Sequence, residues 1–331
     1  MFYTENSSNL YNQLMVCIEE IRDKKYESNI IKDSTYLRIS KTINKIKESD
    51  VGKMNIKEIT SNDIQNYLNE IKKYSNSYIC KIYEQLNQTF NYAIRNKYIT
   101  DNPLYDVIKP KSTQKLKKVR ALTMEEQKKL SDYLLNTSIR KEKYKNIFLI
   151  QMYTGLRIGE VLSLTVEDID LERKIIRVNK TLSINTKGKI VLHDSTKTYA
   201  GIREVPIPEF IIPHIEEQLK EANRSKKRIL FSYKRKYLSH NIANSKLKRI
   251  MGSTLKMKNI EGISTHSLRH TFATRCIEAG MAAVVLQRIL GHTNISITLN
   301  TYTSVFNQFK DSELQKVVNL YEKNILNSKE Q

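Results

Sequence analysis

The chain has 331 residues, which suggests about two domains, and its 40% hydrophobic and 27% charged residues suit a protein that buries a sizeable core. It contains no apolar run near the roughly 18 residues of a membrane span, and its first residues lack a signal-peptide pattern, so membrane and secreted classes are disfavoured. Its 56 Lys and Arg against 35 Asp and Glu give a net charge of +21 and predict a polyanionic partner, first of all nucleic acid, unless the lysines are merely solvated or reflect genome bias.

The cysteines predict a reducing compartment. Cys17, Cys80 and Cys276 are far apart and odd in number, and they form no CxxC pair. This spacing favours free thiols in a cytoplasm over a disulfide framework or a zinc ribbon.

Four amphipathic helices are predicted in the first hundred residues, and we interpret residues 1–106 as a small helical domain. The fourth is the clearest, with apolar residues at i, i+3, i+4 and i+7 from Ile79 to Ile94. The third begins at "TSND", where Thr60 and Asp63 have the spacing of a capping box.

A basic linker is predicted over residues 107–120, between the two domains. It has little periodicity and carries several cations without an acid. Such a segment can be solvated or can follow a phosphate backbone, and both interpretations stay open. The candidate DNA contacts are Lys111, Lys115, Lys117, Lys118 and Arg120.

The second domain, residues 121–331, is predicted to be mixed. Thr123 and Glu126 have capping-box spacing, a helix ends near Gly155, and a short helix begins at Arg157. Then "KIIRVNKTL", "KGKIVLHDS" and "GIREVPIP" predict three short antiparallel strands, and helical periodicity returns from about Pro213. The expected fold class is therefore mainly α with a small antiparallel β-sheet: a helical domain followed by an α+β domain.

The histidines of "STHSLRHTFATR" do not form a zinc motif. His266 and His270 are four residues apart, but Ser267 stands where HExxH has Glu, and no acid follows until Glu278. No metal is expected, and His270 is interpreted as a scaffold residue.

An anion site fits this segment better. His266 and Arg269 lie in the first turn of a helix capped by Ser264 or Thr265, where backbone N–H groups and the helix dipole favour negative charge. Arg157 begins another helix, and two guanidiniums suit one phosphodiester. Salt bridges within the domain are the alternative for either arginine alone.

Four segments resemble the tyrosine recombinase, or phage integrase, family. They are "YTGLRIGE", "TKT", "HSLRHTFAT" and "LGHTNISITLNTY", in the order and spacing of the family. The resemblance covers most of the chain, because the N-terminal part is similar to the core DNA-binding domain of mobile-element integrases. The implied catalytic residues are Arg157, Lys197, His266, Arg269, His292 and the nucleophile Tyr302. Lys187 and Lys189 are alternatives to Lys197.

The resemblance implies DNA strand transfer through a 3′-phosphotyrosine, without metal, ATP or another cofactor. Arg157, Arg269 and His292 would stabilise charge on the phosphate, with His266 as the better candidate for the base and Lys197 for the acid. An Xer-like resolvase and a type IB topoisomerase-like nicking-closing enzyme remain alternatives.

The implied partners are double-stranded DNA attachment or recombination sites and, in some systems, directionality or DNA-bending proteins. The C-terminal segment has apolar residues at helical spacing, so it either packs on its own domain or links a homotetramer on DNA by docking on a neighbouring subunit. These residues are Leu314, Val317, Val318, Tyr321 and Ile325. A cytoplasmic or nucleoid-associated location is expected.

Overall fold

Helices with one apolar face make up most of the chain. The structure, a computed structural model, describes residues 13–114, 119–194, 201–223, 228–233 and 236–327. The chain divides into two compact units, one formed by Met1–Leu116 with Ile184–Lys189 and the other by Lys117–Ser183 with Ile190–Gln331. No helix in these described ranges is long and apolar enough to cross a membrane.

The first unit is a bundle of helices around one apolar core. Its predicted third and fourth helices are confirmed: Thr60 and Asp63 form a reciprocal capping box, and Ser75 caps the next helix. The helices are α1 (Gln13–Glu27), α2 (Asp33–Glu48), α3 (Asp50–Lys53), α4 (Ser61–Glu70) and α5 (Asn76–Arg95), with a 3-10 turn at Ile71–Lys73. Ile82 and Phe90 of α5 are fully buried in this core, which explains the strong periodicity of that segment.

The described part of the predicted linker is tied to the first unit by hydrogen bonds. The Gln65 side chain accepts a hydrogen bond from the N–H of Ile108 and donates one to its carbonyl. The N–H of Ser112 donates to Oδ1 of Asn76 at 2.7 Å. Lys111 is exposed within this stretch. Lys115, Lys117 and Lys118 lie outside the described residues.

Arg120, at the end of the predicted linker, is engaged within the second unit. Its guanidinium forms a two-pronged pair with Glu126 at 2.6 and 2.7 Å and donates to the carbonyl of Asn259. Because its charge is shared with a carboxylate, less of it is available to a phosphate.

In the second unit, helices surround three small sheets, counted over the described residues. Its helices are α6 (Met124–Asn136), α7 (Lys145–Thr154), α8 (Ile158–Ser163), α9 (Ile212–Asn223), α10 (His240–Arg249), α11 (Thr265–Glu278), α12 (Ala283–Leu290) and α13 (Ile295–Asn327), with a π-helical turn at Ile250–Thr254. Its strands are β1 (Ile169–Asp170), β2 (Ile175–Val178), β3 (Lys180–Ile184), β4 (Ile190–Asp194), β5 (Arg203–Pro206), β6 (Ser232–Tyr233) and β7 (Lys236–Tyr237). The predicted fold class, mainly helical with small antiparallel sheets, is confirmed.

The prediction of one strand over "KIIRVNKTL" is wrong. The segment forms β2, which pairs with β1 and β5, and then β3, which pairs with β4 in a separate sheet. The chain is held at the junction because the Lys180 ammonium contacts the buried Asp168 carboxylate at 2.5 Å and the Lys180 carbonyl accepts from the Ser163 hydroxyl. In the first sheet Val178 is opposite Arg203, which sets the direction in which β5 begins.

Gly155 ends α7 in a backbone conformation that other residues rarely adopt. Its φ is +68°, and a Cβ built on it would lie 2.3 Å from Cδ1 of Phe272 on α11. We expect Gly155→Ala to destabilise the second unit by about 2–4 kcal/mol, the sum of left-handed strain and overpacking, measured by urea denaturation.

Gly280, also in the second unit, provides the matched control. It has φ +82°, but a built Cβ would meet only Nζ of Lys316, at an ordinary contact distance of 3.8 Å. Gly280→Ala should therefore cost only the backbone strain, about 1 kcal/mol. Equal losses in the two variants would show that Phe272 gives way without cost.

Candidate active site

Five of the six residues implied by the family resemblance line one cavity of about 250 Å³ in the second unit. The loop after α7, the first turn of α11, the loop after α12 and the first part of α13 all contribute to it. The lining residues are Arg157, His266, Arg269, His270, Gly291, His292, Thr293, Ile297, Thr301 and Tyr302. Lys197 lies outside the described residues, and Lys187 and Lys189 are exposed after β3.

Arg157 is positioned by the residue three places after it. Its backbone N–H and its Nη1 donate to the two carboxylate oxygens of Glu160 at 2.8 and 2.9 Å, so that Glu160 caps α8 and fixes the guanidinium. The Nη2 group donates to the carbonyl of Gly291 at 3.0 Å. The side chain stays 42% exposed, which leaves part of the guanidinium open to the cavity.

Glu160 also holds a second arginine that the sequence analysis did not single out. Arg203 of β5 forms a two-pronged pair with Glu160 at 2.8 and 3.2 Å and is 7% exposed. Burial alone would raise the pKa of Glu160, but Arg203 and then Arg157 outweigh it and lower that pKa, so the carboxylate is charged. The "REVP" segment gave no local signal of this pairing.

Arg269 is nearly fully buried at the floor of the cavity. Its guanidinium donates to the carbonyls of Gly155 and Leu290 at 2.9 and 2.7 Å and to Nε2 of His292 at 2.8 Å. Burial and then the neighbouring Arg157 lower the pKa of Arg269 to about 9, which leaves it charged at neutral pH. Ser264 and Ser267 form a capping box at the start of α11, as predicted for its N-terminus.

His292 is held in one tautomer by its two neighbours. Because a guanidinium can only donate, Nε2 accepts from Arg269, and the ring proton is on Nδ1, 2.8 Å from the hydroxyl oxygen of Thr298. Burial, together with Arg269, Arg157 and Arg203, lowers the pKa of His292 to about 4. The imidazole is therefore neutral at pH 7.

An edge-to-face series of rings connects the start of α11 to Tyr302. The His266 and His270 rings are 4.6 Å apart, and the His270 and Tyr302 rings are 5.4 Å apart. Loss of solvation, then Arg269 and Arg157, lower the pKa of His266, so that it is a neutral proton acceptor at pH 7. His270 packs between the other two rings and also lines the cavity.

Tyr302 is 3% exposed and belongs to a small apolar cluster with Ala273, Ile277, Leu286 and Leu290. Burial raises its pKa to about 12, although Arg269 acts in the opposite direction. Its backbone, with φ −116° and ψ 15°, is the non-helical point of α13. The tyrosine therefore stands at a kink between two helical stretches.

The depressed pKa of His292 predicts acid sensitivity. Its folded pKa of about 4 lies below the unfolded value of roughly 6.5, so the unfolded state binds more protons between these pH values and stability falls as the pH drops. We expect the free energy of unfolding to lose about 2 kcal/mol between pH 7 and pH 5 through this group, measured by urea denaturation at both values.

The control for this prediction is a substitution that removes no titratable group. His292→Gln should reduce the pH dependence, whereas Asn241→Gln, at an exposed position of α10, should leave it unchanged. Identical pH profiles for wild type and His292→Gln would contradict the prediction.

Comparison with known proteins identifies the family. The model of the Phage integrase family matches residues 120–308. A XerC-like tyrosine recombinase of Caldanaerobacter subterraneus subsp. tengcongensis is 31% identical, over 84% of this chain and 75% of its own length. The transposase from transposon Tn916 of Enterococcus faecalis is 29% identical, over 78% of this chain and 66% of its own length.

The fold is shared with solved structures. The Tn1549 transposon integrase in complex with transposon right end DNA has a TM-score of 0.76 and 23% identity, covering 92% of this chain and 99% of that chain. A lambda integrase dimer bound to a COC′ core site has a TM-score of 0.61 and 17% identity, covering 88% of this chain and 76% of that chain. The predicted resemblance is confirmed: the chain belongs to the phage integrase family of tyrosine recombinases.

Proposed function

We propose that this protein is a site-specific DNA recombinase of the mobile-element integrase type. The Tyr302 oxygen attacks a phosphodiester phosphorus, forming a 3′-phosphotyrosine bond as the bond from phosphorus to the 5′ oxygen breaks. A free 5′-hydroxyl of another strand then attacks the phosphotyrosine and restores a DNA phosphodiester. Bond energy is retained in the covalent intermediate, so the cycle needs no nucleotide.

The observation that carries the proposal is the grouping of two arginines and three histidines around one tyrosine in a single cavity. The arginines supply fixed positive charge and hydrogen-bond donors where negative charge develops on the phosphate oxygens. Guanidiniums would perform here the charge neutralisation that metal ions perform in other phosphoryl-transfer sites, so we propose strand transfer without metal.

Proton transfer is the second requirement of the reaction. A hydroxyl with a pKa of about 12 needs a base at neutral pH. His266 lines the same cavity, and its lowered pKa keeps the imidazole neutral and able to accept a proton, so we propose it as the base for Tyr302. Lys197 is the proposed donor to the leaving 5′ oxygen, on the strength of the family resemblance.

Double-stranded DNA is the proposed partner. The net charge of +21 supplies affinity for phosphates, and the related Tn1549 integrase was solved with transposon DNA. Among the linker cations, the proposed phosphate contacts are Lys111, Lys115, Lys117 and Lys118. Arg120 should contribute less to phosphate binding, because its guanidinium is paired with Glu126. Accessory directionality or DNA-bending proteins and a bacterial cytosolic location belong to the same proposal.

One experiment tests the chemistry. The protein is incubated in EDTA with a suicide-nicked duplex that carries its recombination site, and an SDS-resistant protein–DNA adduct is sought. Absence of an adduct would contradict the enzymatic proposal. Two-site substrates then separate the alternatives: strand exchange between molecules supports an integrase, preferential exchange within one molecule an Xer-like resolvase, and relaxation alone a topoisomerase-like enzyme.

We further propose that the C-terminal helix links subunits in a homotetramer on DNA. Four of the five predicted apolar residues, Leu314, Val317, Val318 and Tyr321, follow one face of α13 at i, i+3, i+4 and i+7, and each is 43–62% exposed. The side chain of the fifth, Ile325, lies outside the described part of the structure. The four exposed side chains are thus not covered by their own unit. A second copy of the catalytic unit is the proposed occupant of this face.

Charge on this face should therefore prevent assembly but not cleavage. We expect Val317→Asp to retain adduct formation on a single site and to lose synapsis of two sites, measured by native gel shift, because a buried carboxylate would be unpaired. Asn319→Asp, which adds the same single charge at an exposed position off this face and keeps the oxygen that accepts from Gln315, is the control. Normal synapsis by Val317→Asp would exclude this face as the contact.

A further inference from the structure

Three consecutive carbonyls at the end of α12 are each bound by a different arginine. The Ile289 carbonyl accepts from Nε of Arg203 at 2.5 Å, the Leu290 carbonyl from Arg269 at 2.7 Å and the Gly291 carbonyl from Arg157 at 3.0 Å. The last carbonyls of a helix lack intrahelical partners and carry the negative end of its dipole. The C-terminal end of α12 therefore binds three arginines, two of which line the cavity.

Arg203 differs from the other two arginines in its position. Arg157 and Arg269 line the cavity, whereas Arg203 does not and is 7% exposed. It is therefore shielded from a phosphate in the cavity. Its two Nη groups donate to Glu160, the carboxylate that also holds Arg157, and Nη1 donates in addition to the Gly201 carbonyl at 3.5 Å.

The charges explain what this arrangement does. One carboxylate faces two guanidiniums, so the cluster of Glu160, Arg157 and Arg203 has a net charge of +1. Without Arg203, the buried carboxylate and Arg157 would neutralise each other, and Glu160 would draw the Arg157 guanidinium towards itself. The loop that begins at Gly291 and carries His292 would also lose its link to β5.

We propose that Arg203 is a positioning residue for DNA cleavage, which acts on Arg157 through Glu160 and is itself anchored by the Ile289 carbonyl. This inference rests on the proposed function. It adds to the site a residue that touches neither the DNA nor the reacting atoms.

The test compares two arginines that each pair with a buried glutamate. Arg203→Met is compared with Arg249→Met, since Arg249 donates to the buried Glu142 at 2.6 Å and does not line the cavity. DNA affinity is measured by gel shift, and the cleavage rate by adduct formation at saturating protein. We expect Arg203→Met to cleave roughly 10–100-fold more slowly with affinity within about threefold of wild type, because misplaced catalytic groups affect the transition state most. Arg249→Met should keep the wild-type cleavage rate.

A double-mutant cycle separates positioning from general stability. If Arg203 acts through Glu160, then Arg203→Met in a Glu160→Gln background should slow cleavage by much less than it does in the wild type. Multiplicative losses would overturn the proposal, as would a weakened DNA affinity with an unchanged cleavage rate. Arg203→Lys keeps the charge but cannot bind Ile289, Glu160 and Gly201 together. It serves as the control for misfolding, and its cleavage rate should lie between those of the wild type and Arg203→Met.

The two proposals fail in different ways. A wild-type protein that forms no adduct would contradict the proposed function, and this inference with it. An active wild type whose cleavage is unaffected by both Arg203 variants would contradict this inference alone.

Discussion

Tyr302→Phe is expected to abolish the covalent protein–DNA adduct while leaving the fold intact. The substitution removes only the hydroxyl, and the ring keeps its place against Ala273, Ile277, Leu286 and Leu290. Loss of a nucleophile costs more than about 10⁴-fold in rate, so no adduct should be visible on a denaturing gel. Thermal unfolding should be nearly unchanged.

Tyr153→Phe is the matched control for this prediction. The Tyr153 hydroxyl lies 2.6 Å from that of Ser131, and its ring packs edge-to-face on Phe210, away from the cavity lining. This variant should lose about 1 kcal/mol of stability and keep cleaving DNA. An adduct that persists in Tyr302→Phe would show that another group is the nucleophile.

Arg269→Lys is expected to slow cleavage by roughly 10²–10³-fold and to destabilise the second unit by about 2 kcal/mol. Lysine retains a charge, but it cannot reach Gly155, Leu290 and His292 together with one planar group. A buried carbonyl would lose its partner, and the phosphate would lose a fixed donor. Adduct kinetics and urea denaturation measure the two effects.

Arg275→Lys, further along α11, separates the loss of cleavage from the loss of stability. Arg275 also spans several acceptors, with Nε on Gln127 at 3.0 Å, Nη2 on the Leu122 carbonyl at 2.9 Å and a contact to Glu278, but it does not line the cavity. The Arg275→Lys variant should therefore be less stable than the wild type but cleave DNA at the wild-type rate. Parallel losses of cleavage in both variants would mean that Arg269 acts through stability alone.

The helices were predictable because their signals are local. Thr60 with Asp63 and Thr123 with Glu126 form the capping boxes that their spacing predicted, and Ser264 precedes α11 as expected. Apolar periodicity within one segment is enough to place such elements. The break between β2 and β3 was not predictable, because it depends on Asp168, which is distant from Lys180 in sequence.

The site shows the same division between local and distant information. Motif spacing indicated Arg157, His266, Arg269, His292 and Tyr302, and the structure places all five around one cavity. Their mutual arrangement could not be predicted, since it depends on pairs such as Arg203 with Glu160, 43 positions apart. The neutral state of His292 likewise follows from burial and three distant arginines.

The kink at Tyr302 has a mechanical consequence. In an unbroken helix, the tyrosine and the exposed apolar face beyond it would turn as one rigid rod. Because the non-helical φ and ψ belong to Tyr302 itself, the direction of the C-terminal half of α13 is set at the residue that carries the phenol. If α13 docks on a neighbouring subunit as proposed, the neighbour would bear on the segment that carries Tyr302, and cleavage by one subunit would depend on how its C-terminal helix is bound.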